Sequence, residues 1–204
     1  MKSQTHSDGQ RNNMPTLPIR KLIMPKDLAG IQNGKLPNKL LTKIAPSGRM
    51  YWQAAPSWAK LQELARLEGL ELVHVGDYRP FKQQRQLFLA RMKPFPNAKV
   101  AKQTVRTWRN KPWYLHNGAP VATPGTSNHG WGLAIDAALK VDGKVVNIST
   151  KPKDCKRSGL AFLLKVAPEL GWSWELQSEP WHIRYVLGDK PCVALIATPC
   201  CELA

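Results

Sequence analysis

Residues Gly125–Asp136 read GTSNHGWGLAID. The first part is small, polar and glycine-rich, which marks a turn. The second part runs on into LAIDAAL, and with KVVNIS further on it flanks Val141-Asp142-Gly143-Lys144, a hairpin signature. His129 and Asp136 stand at the two ends of this change from turn to strand, seven positions apart. Two potential ligands do not close a metal site, so a third must come from elsewhere in the chain.

The third candidate lies downstream in SEPWHIRYV, where Glu179 precedes His182 by three residues. A catalytic zinc takes three protein ligands and leaves one position open. His129, Asp136 and His182 supply two imidazoles and a carboxylate, and Glu179 is a candidate general base that does not bind metal. Both segments read as strand ends, so adjacent strands would bring them together. Gly130 and Gly132 would then let backbone and substrate approach closely. Each residue alone has a plainer reading. A lone histidine, such as His74 or His116, is more often packed or at the surface, and an Asp before AAL can cap or pair with lysines.

Working outward, PSWAKLQELARLEG reads as a helix capped by Ser57 and ended by Gly69, with Trp58, Leu61, Leu64, Ala65 and Leu67 near one face. LELVHV reads as a buried strand, and GDYRPFKQQRQLFLARM as a turn leading into a second helix. Residues 93–124 hold Pro94, Pro96, Pro112, Pro120 and Pro124 among scattered aromatics, the pattern of a long loop or lid. SGLAFLLKVA reads as a third helix and PWHIRYVL as a last strand. Residues 1–50, rich in Pro, Asn, Lys and Gly, read as an irregular basic arm. A domain over 51–190 follows, then a tail over 191–204.

With 204 residues, 43% of them hydrophobic, and eight tryptophans, the chain is long and apolar enough for a buried core. No run approaches the roughly 18 apolar residues of a membrane span, and the N-terminus lacks the apolar core of a secretory signal. The expectation is synthesis in the cytoplasm. Net charge is +16 and unevenly placed: nine Lys/Arg against two acids in 1–50, twelve against four in 51–120, nine against eight thereafter. Such a surface attracts polyanions, whether nucleic acid, acidic lipid or anionic cell-wall polymer. Cys155, Cys192, Cys200 and Cys201 form no CxxC pair, so reduced thiols are expected rather than a zinc ribbon.

The two ligand segments carry a resemblance to the M15 peptidases, the zinc D-alanyl-D-alanine carboxypeptidases and related peptidoglycan endopeptidases. Ser127, His129, Gly132, Ala134 and Asp136 resemble the family's Ser-x-His-x-x-Gly-x-Ala-x-Asp motif, and Glu179 with His182 its Glu-x-x-His motif. Gly76, Tyr78 and Arg79 resemble its Gly-Tyr-Arg segment, with Asp77 inserted. The likeness spans roughly residues 56–188 and omits the arm and tail. It implies an α+β fold, a small antiparallel sheet with helices packed on one side and a single zinc site in a cleft.

It further implies that His129, Asp136 and His182 bind Zn2+, that Glu179 is the base and that Arg79 faces the scissile carbonyl. Zinc lowers the pKa of bound water toward about 7, and a fixed guanidinium at a developing oxyanion is commonly worth about 2.7–4 kcal/mol. Ser127 would hydrogen-bond substrate, although a turn serine bonding its own backbone is the plainer reading. Tyr78 and Gln83, or Gln84, would line the cleft, with Trp131 and Trp181 walling the site or packing in the core. For Arg79 the alternative is a surface salt bridge.

The function expected is hydrolysis of a peptide bond in bacterial peptidoglycan by a monomer, in the setting of a phage endolysin released to the wall at lysis. Which bond is cut, by carboxypeptidase or endopeptidase action, is left open by the sequence. One rival is a wall-binding module with an inactive metal site, but binding alone requires neither Glu179 nor Arg79. The other is a nucleic-acid-binding protein, suggested by charge alone and unaccompanied by any recognised motif.

Overall fold

The computed structural model describes residues 15–95, 105–150, 154–190 and 192–196. In chain order, a short hairpin of β1 (Leu41–Lys43) and β2 (Arg49–Tyr51) leads to α1 (Ala55–Leu67), β3 (Glu71–Gly76) and α2 (Phe81–Arg91). A three-stranded sheet of β4 (Met92–Pro94), β5 (Val105–Trp108) and β6 (Lys111–Leu115) follows. Next come β7 (Ala134–Val141), β8 (Lys144–Asn147), α3 (Asp154–Val166), β9 (Trp172–Trp174), β10 (His182–Tyr185) and the single-turn α4 (Val193–Ile196).

The main sheet is antiparallel and centred on β7. One edge of β7 pairs with β3; the other is shared by β10, opposite Ala134–Asp136, and β8, opposite Ala138–Val141. Alternation along β7 sorts its side chains between two faces. Ile135, Ala137 and Leu139 enter the core, with Leu72 from β3, Ile183 and Tyr185 from β10, Leu61 and Ala65 from α1, and Leu160 and Leu163 from α3. Asp136 lies on the opposite face. The chain is thus an α+β domain with helices packed on one side of the sheet, leaving the other for the site.

Local chemistry explains most elements. Asp142 and Gly143 both adopt positive φ, 49° and 76°, as a two-residue hairpin turn requires. The first helix starts three residues earlier than a cap at Ser57 would place it. Ser57 is not its cap but lies inside it, donating to the Leu170 carbonyl and accepting from Trp172 Nε1 at 2.7 Å. Trp58, Leu61 and Ala65 are buried as the helical period requires, whereas Leu67 is exposed.

Two segments differ from the reading above. Residues 93–124 are not simply a loop or lid, because β5 and β6 fold back on β4. Phe88 of α2 is sealed beneath Trp108 and Trp113, with ring centroids 5.2 and 5.3 Å away. The arm is irregular, with 3-10 turns at Lys26–Leu28 and Asn38–Leu40, but no break in packing falls at residue 50. Leu17, Leu28, Leu36, Leu40 and Met50 are all buried in the main core. Ile23 N–H donates to the Val186 carbonyl, and Gln177 exchanges hydrogen bonds with the backbone of Leu17. In the tail Cys192 is buried and unpaired, while Cys200 and Cys201 lie outside the described residues.

Candidate metal centre

Strand register assembles the site. His182 is directly opposite Asp136 across the β10–β7 pair, so both side chains rise from the same face. His129 arrives from the 3-10 turn Asn128–Trp131, which Gly132 ends in the left-handed conformation at φ 64°. His182 Nδ1 is 2.9 Å and His129 Nε2 3.3 Å from the same oxygen, Asp136 Oδ1. Ligand atoms from all three residues lie within 4.8 Å of one another.

The two imidazoles present opposite nitrogens to the centre. His129 turns its Nδ1 outward to the Asp77 carbonyl at 2.9 Å, and His182 turns its Nε2 outward to Glu175 Oε2 at 3.1 Å. Each outer nitrogen therefore has an acceptor for its proton, so an inner nitrogen that gives up its own proton has a lone pair for a cation. This donor set fits a metal of zinc's type.

Electrostatics follow from the same contacts. Burial opposes ionisation of Asp136, but hydrogen bonds from both histidines hold its carboxyl well below the usual range. The His182 hydrogen bond is the main cause pulling Glu175 down to about 2. Burial works against charge on His182, yet the bonds to Asp136 and Glu175 push its pKa up to about 9.

Arg79 is held beside the centre by three contacts. Its N–H donates to the His129 carbonyl at 2.9 Å, Nη2 is 4.0 Å from Asp136 Oδ2, and Nη1 donates to Gln84 Oε1 at 2.9 Å. Gln84 is itself buried and donates to the Ala122 carbonyl at 2.7 Å. Burial lowers the guanidinium pKa from its ordinary value, and Asp136 counters this. Gln83, the neighbour named for the cleft, sits on the exposed side of the helix, so Gln84 is the glutamine that reaches the site.

Other candidates are placed differently. Tyr78 is buried, its hydroxyl accepting from Leu36 N–H at 3.1 Å and its ring beneath the Arg49 guanidinium, so it packs the arm rather than facing substrate. The Ser127 carbonyl accepts from Asn33 Nδ2 at 2.8 Å and from Gly130 N–H at 2.9 Å. Glu179 is half-buried in the turn before β10, its carbonyl accepting from His182 N–H at 3.0 Å. Among the described residues its carboxylate has no hydrogen bond or ion pair. Trp131 and Trp181 pack partly buried against the main core.

The close backbone approach expected at Gly130 and Gly132 is observed at Gly132, and Gly130 makes room for a side chain. A side chain at Gly130 would collide with the Asn33 amide, and one at Gly132 would meet Tyr51 N at 2.7 Å. They admit the arm and β2. Sequence reading missed Glu175, Asn128 and Asn33, none of which falls at a spacing that marks it. Asn128, beside the candidate ligand His129, carried the only local hint.

Fold and site together define a class: an α+β domain with a three-residue candidate metal centre on the open face of its sheet. A family model described as VanY, D-alanyl-D-alanine carboxypeptidase, matches residues 48–188, and the chain belongs to that family. A curated D-alanyl-D-alanine carboxypeptidase of Enterococcus faecalis (strain ATCC 700802 / V583) is 26% identical over 152 residues, 72% of this chain and 52% of that protein. The chain thus spans about half the length of this relative. Among solved structures, the LdcB LD-carboxypeptidase has a TM-score of 0.51 at 20% identity, covering 90% of this chain and 81% of its own. A mutant of the vancomycin resistance D,D-pentapeptidase VanY in complex with Zn(II) has a TM-score of 0.50 at 19% identity, covering 83% and 86%. These structural likenesses concern the fold. No helix among the described residues is long and apolar enough to cross a membrane.

Proposed function

We propose that this chain is a zinc-dependent peptidase that hydrolyses a peptide bond in bacterial peptidoglycan, at a terminal D-alanine or within the stem peptide or cross-link. The observation that carries the proposal is the convergence of His129 Nε2 and His182 Nδ1 on Asp136 Oδ1 in a chain of the VanY family. The Zn(II) held by the VanY pentapeptidase structure supports the choice of metal.

Zinc held by His129, Asp136 and His182 would supply a Lewis acid and would lower the pKa of a bound water toward about 7. Glu179, whose carboxylate is uncommitted, takes the proton released on attack and passes it to the leaving amine. The Arg79 guanidinium, fixed by Gln84 and Asp136, stabilises charge developing on the carbonyl oxygen. The working unit in this reading includes the arm from about Leu17, because the arm's leucines complete the core. A wall-lytic, endolysin role draws support from the +16 charge, which attracts the chain to anionic wall polymers.

The test is mass spectrometry of fragments released from purified peptidoglycan, run beside elemental analysis of bound metal. The expected result is one zinc per chain and products cut at a peptide bond. Full zinc occupancy in both His129→Ala and His182→Ala would remove the ligand assignment, and intact stem peptides would remove the activity.

A further inference from the structure

The loop between β9 and β10 brings to the site a second carboxylate that the proposed chemistry does not use. Glu175 Oε2 is 3.1 Å from His182 Nε2, and the same oxygen accepts from Asn128 Nδ2 at 2.7 Å. The other oxygen, Oε1, is 3.7 Å from Arg184 Nη1. Asn128 immediately precedes ligand His129, so one carboxylate joins both histidine-bearing segments. Arg184 is held in turn by donating from Nη2 to the Arg20 carbonyl at 3.0 Å.

A neutral imidazole carries a single N–H, and the acceptor it meets decides which nitrogen bears it. Were the proton on His182 Nδ1, the ring would present a donor to the centre and could not bind a cation there. For His129 the equivalent choice is made by the Asp77 backbone carbonyl, which no side-chain substitution removes. For His182 it falls to a side chain, and to an anionic one.

We propose that Glu175 is a positioning residue of the metal centre: it accepts the His182 Nε2 proton, so that Nδ1 faces Asp136 and His129 as a ligand, and through Asn128 it fixes the spacing of the two imidazoles. This rests on the zinc-peptidase reading above. Outer acceptors of this type are generally worth about 10–100-fold in metal affinity.

The test measures zinc affinity of the full chain by chelator competition for wild type, Glu175→Gln, Glu175→Ala and His182→Ala. Long-range 15N NMR of the zinc-loaded chains reads which His182 nitrogen carries the proton. Glu175→Ala should bind zinc about 10–100-fold more weakly. Glu175→Gln keeps a neutral acceptor and should fall between it and wild type, with the ring still protonated at Nε2. A purely structural latch to Asn128 and Arg184 would not grade affinity this way or bear on the tautomer. If Glu175→Ala does not fold, the near-isosteric Gln variant carries the comparison. Unchanged affinity in folded Glu175 variants, with zinc lost from His182→Ala, would overturn this role and leave the zinc reading intact. Failure of wild type to bind zinc would overturn the reading itself, and this role with it.

Discussion

Zinc must compete with a proton for His182, and the structure sets the strength of that competition. Without metal, the bonds to Asp136 and Glu175 overcome burial and push the His182 pKa from 6.5 up to about 9. At about pH 7 roughly 99 of 100 metal-free molecules then carry an imidazolium where a ligand lone pair is needed. Apparent zinc affinity should therefore rise about tenfold per pH unit from about 7 to 9 and flatten above about 9. An ordinary histidine would flatten near 6.5. The assay is chelator competition across this range, with an NMR titration of the His182 ring in metal-free protein. An affinity plateau already at about pH 7, with a ring midpoint near 6.5, would refute the reasoning.

The same shift carries a stability consequence whose sign is fixed. A raised histidine pKa contributes stability that is fully present below the unfolded value of 6.5 and is lost as pH rises through the folded value of about 9. A shift of that size corresponds to about 3 kcal/mol. Asp136 and Glu175 are depressed, so their contribution is present above their unfolded values and lost as pH falls through the folded ones. These are two views of the same ion pairs and do not add. Metal-free protein should accordingly melt highest in mildly acidic buffer.

Three further outcomes are expected. Glu179→Gln should retain zinc while turnover falls at least about 10²-fold, and wild-type turnover in a metal-loaded variant would make Glu179 structural. Gln84→Ala removes the acceptor that aims Arg79, so kcat should drop about 10-fold with zinc content unchanged, and a normal kcat would show that Asp136 alone positions the guanidinium. Deleting residues 1–50 removes five buried side chains, Leu17, Leu28, Leu36, Leu40 and Met50. At about 2–5 kcal/mol for each large-to-small core change, five such losses come to about 10–25 kcal/mol, as large as or larger than a typical fold's total of about 5–15 kcal/mol. The truncated chain should be unfolded by circular dichroism, so any test of wall attraction needs charge reversal of exposed lysines instead.

What could be read from the sequence is what the chain encodes over short spans. The candidate ligands and their strands were legible because His129 to Asp136 and Glu179 to His182 each fit within one local segment, and alternation places Asp136 and His182 on one face. The β5–β6 hairpin was hidden for a specific reason. Its turn is Arg109-Asn110, both at positive φ (52° and 59°), where a glycine would ordinarily announce the bend. Arg109 instead lies over the Trp108 ring at 4.8 Å, and Pro112 sits within the pairing opposite Thr107. The arm was hidden because its buried leucines, Leu17, Leu28, Leu36 and Leu40, follow no period.

That division between local and distant information runs through the site itself. Spacing in the chain specifies which atoms meet at the centre, but not what holds them at a useful angle. The ligand loop is gripped from the arm and from β2: Asn33 Nδ2 reaches the Ser127 carbonyl, Gly34 N–H the Gly130 carbonyl and Tyr51 N–H the Gly132 carbonyl, each within 2.8–2.9 Å. Each contact joins residues about eighty or more apart in sequence, and two of the three depend on the arm. A metal centre tolerates little angular error in its ligands, and outer contacts supply that precision. The basic arm therefore has a stake in the chemistry that its composition does not suggest. Weakening it at Asn33 should loosen the His129 loop before it unfolds the domain.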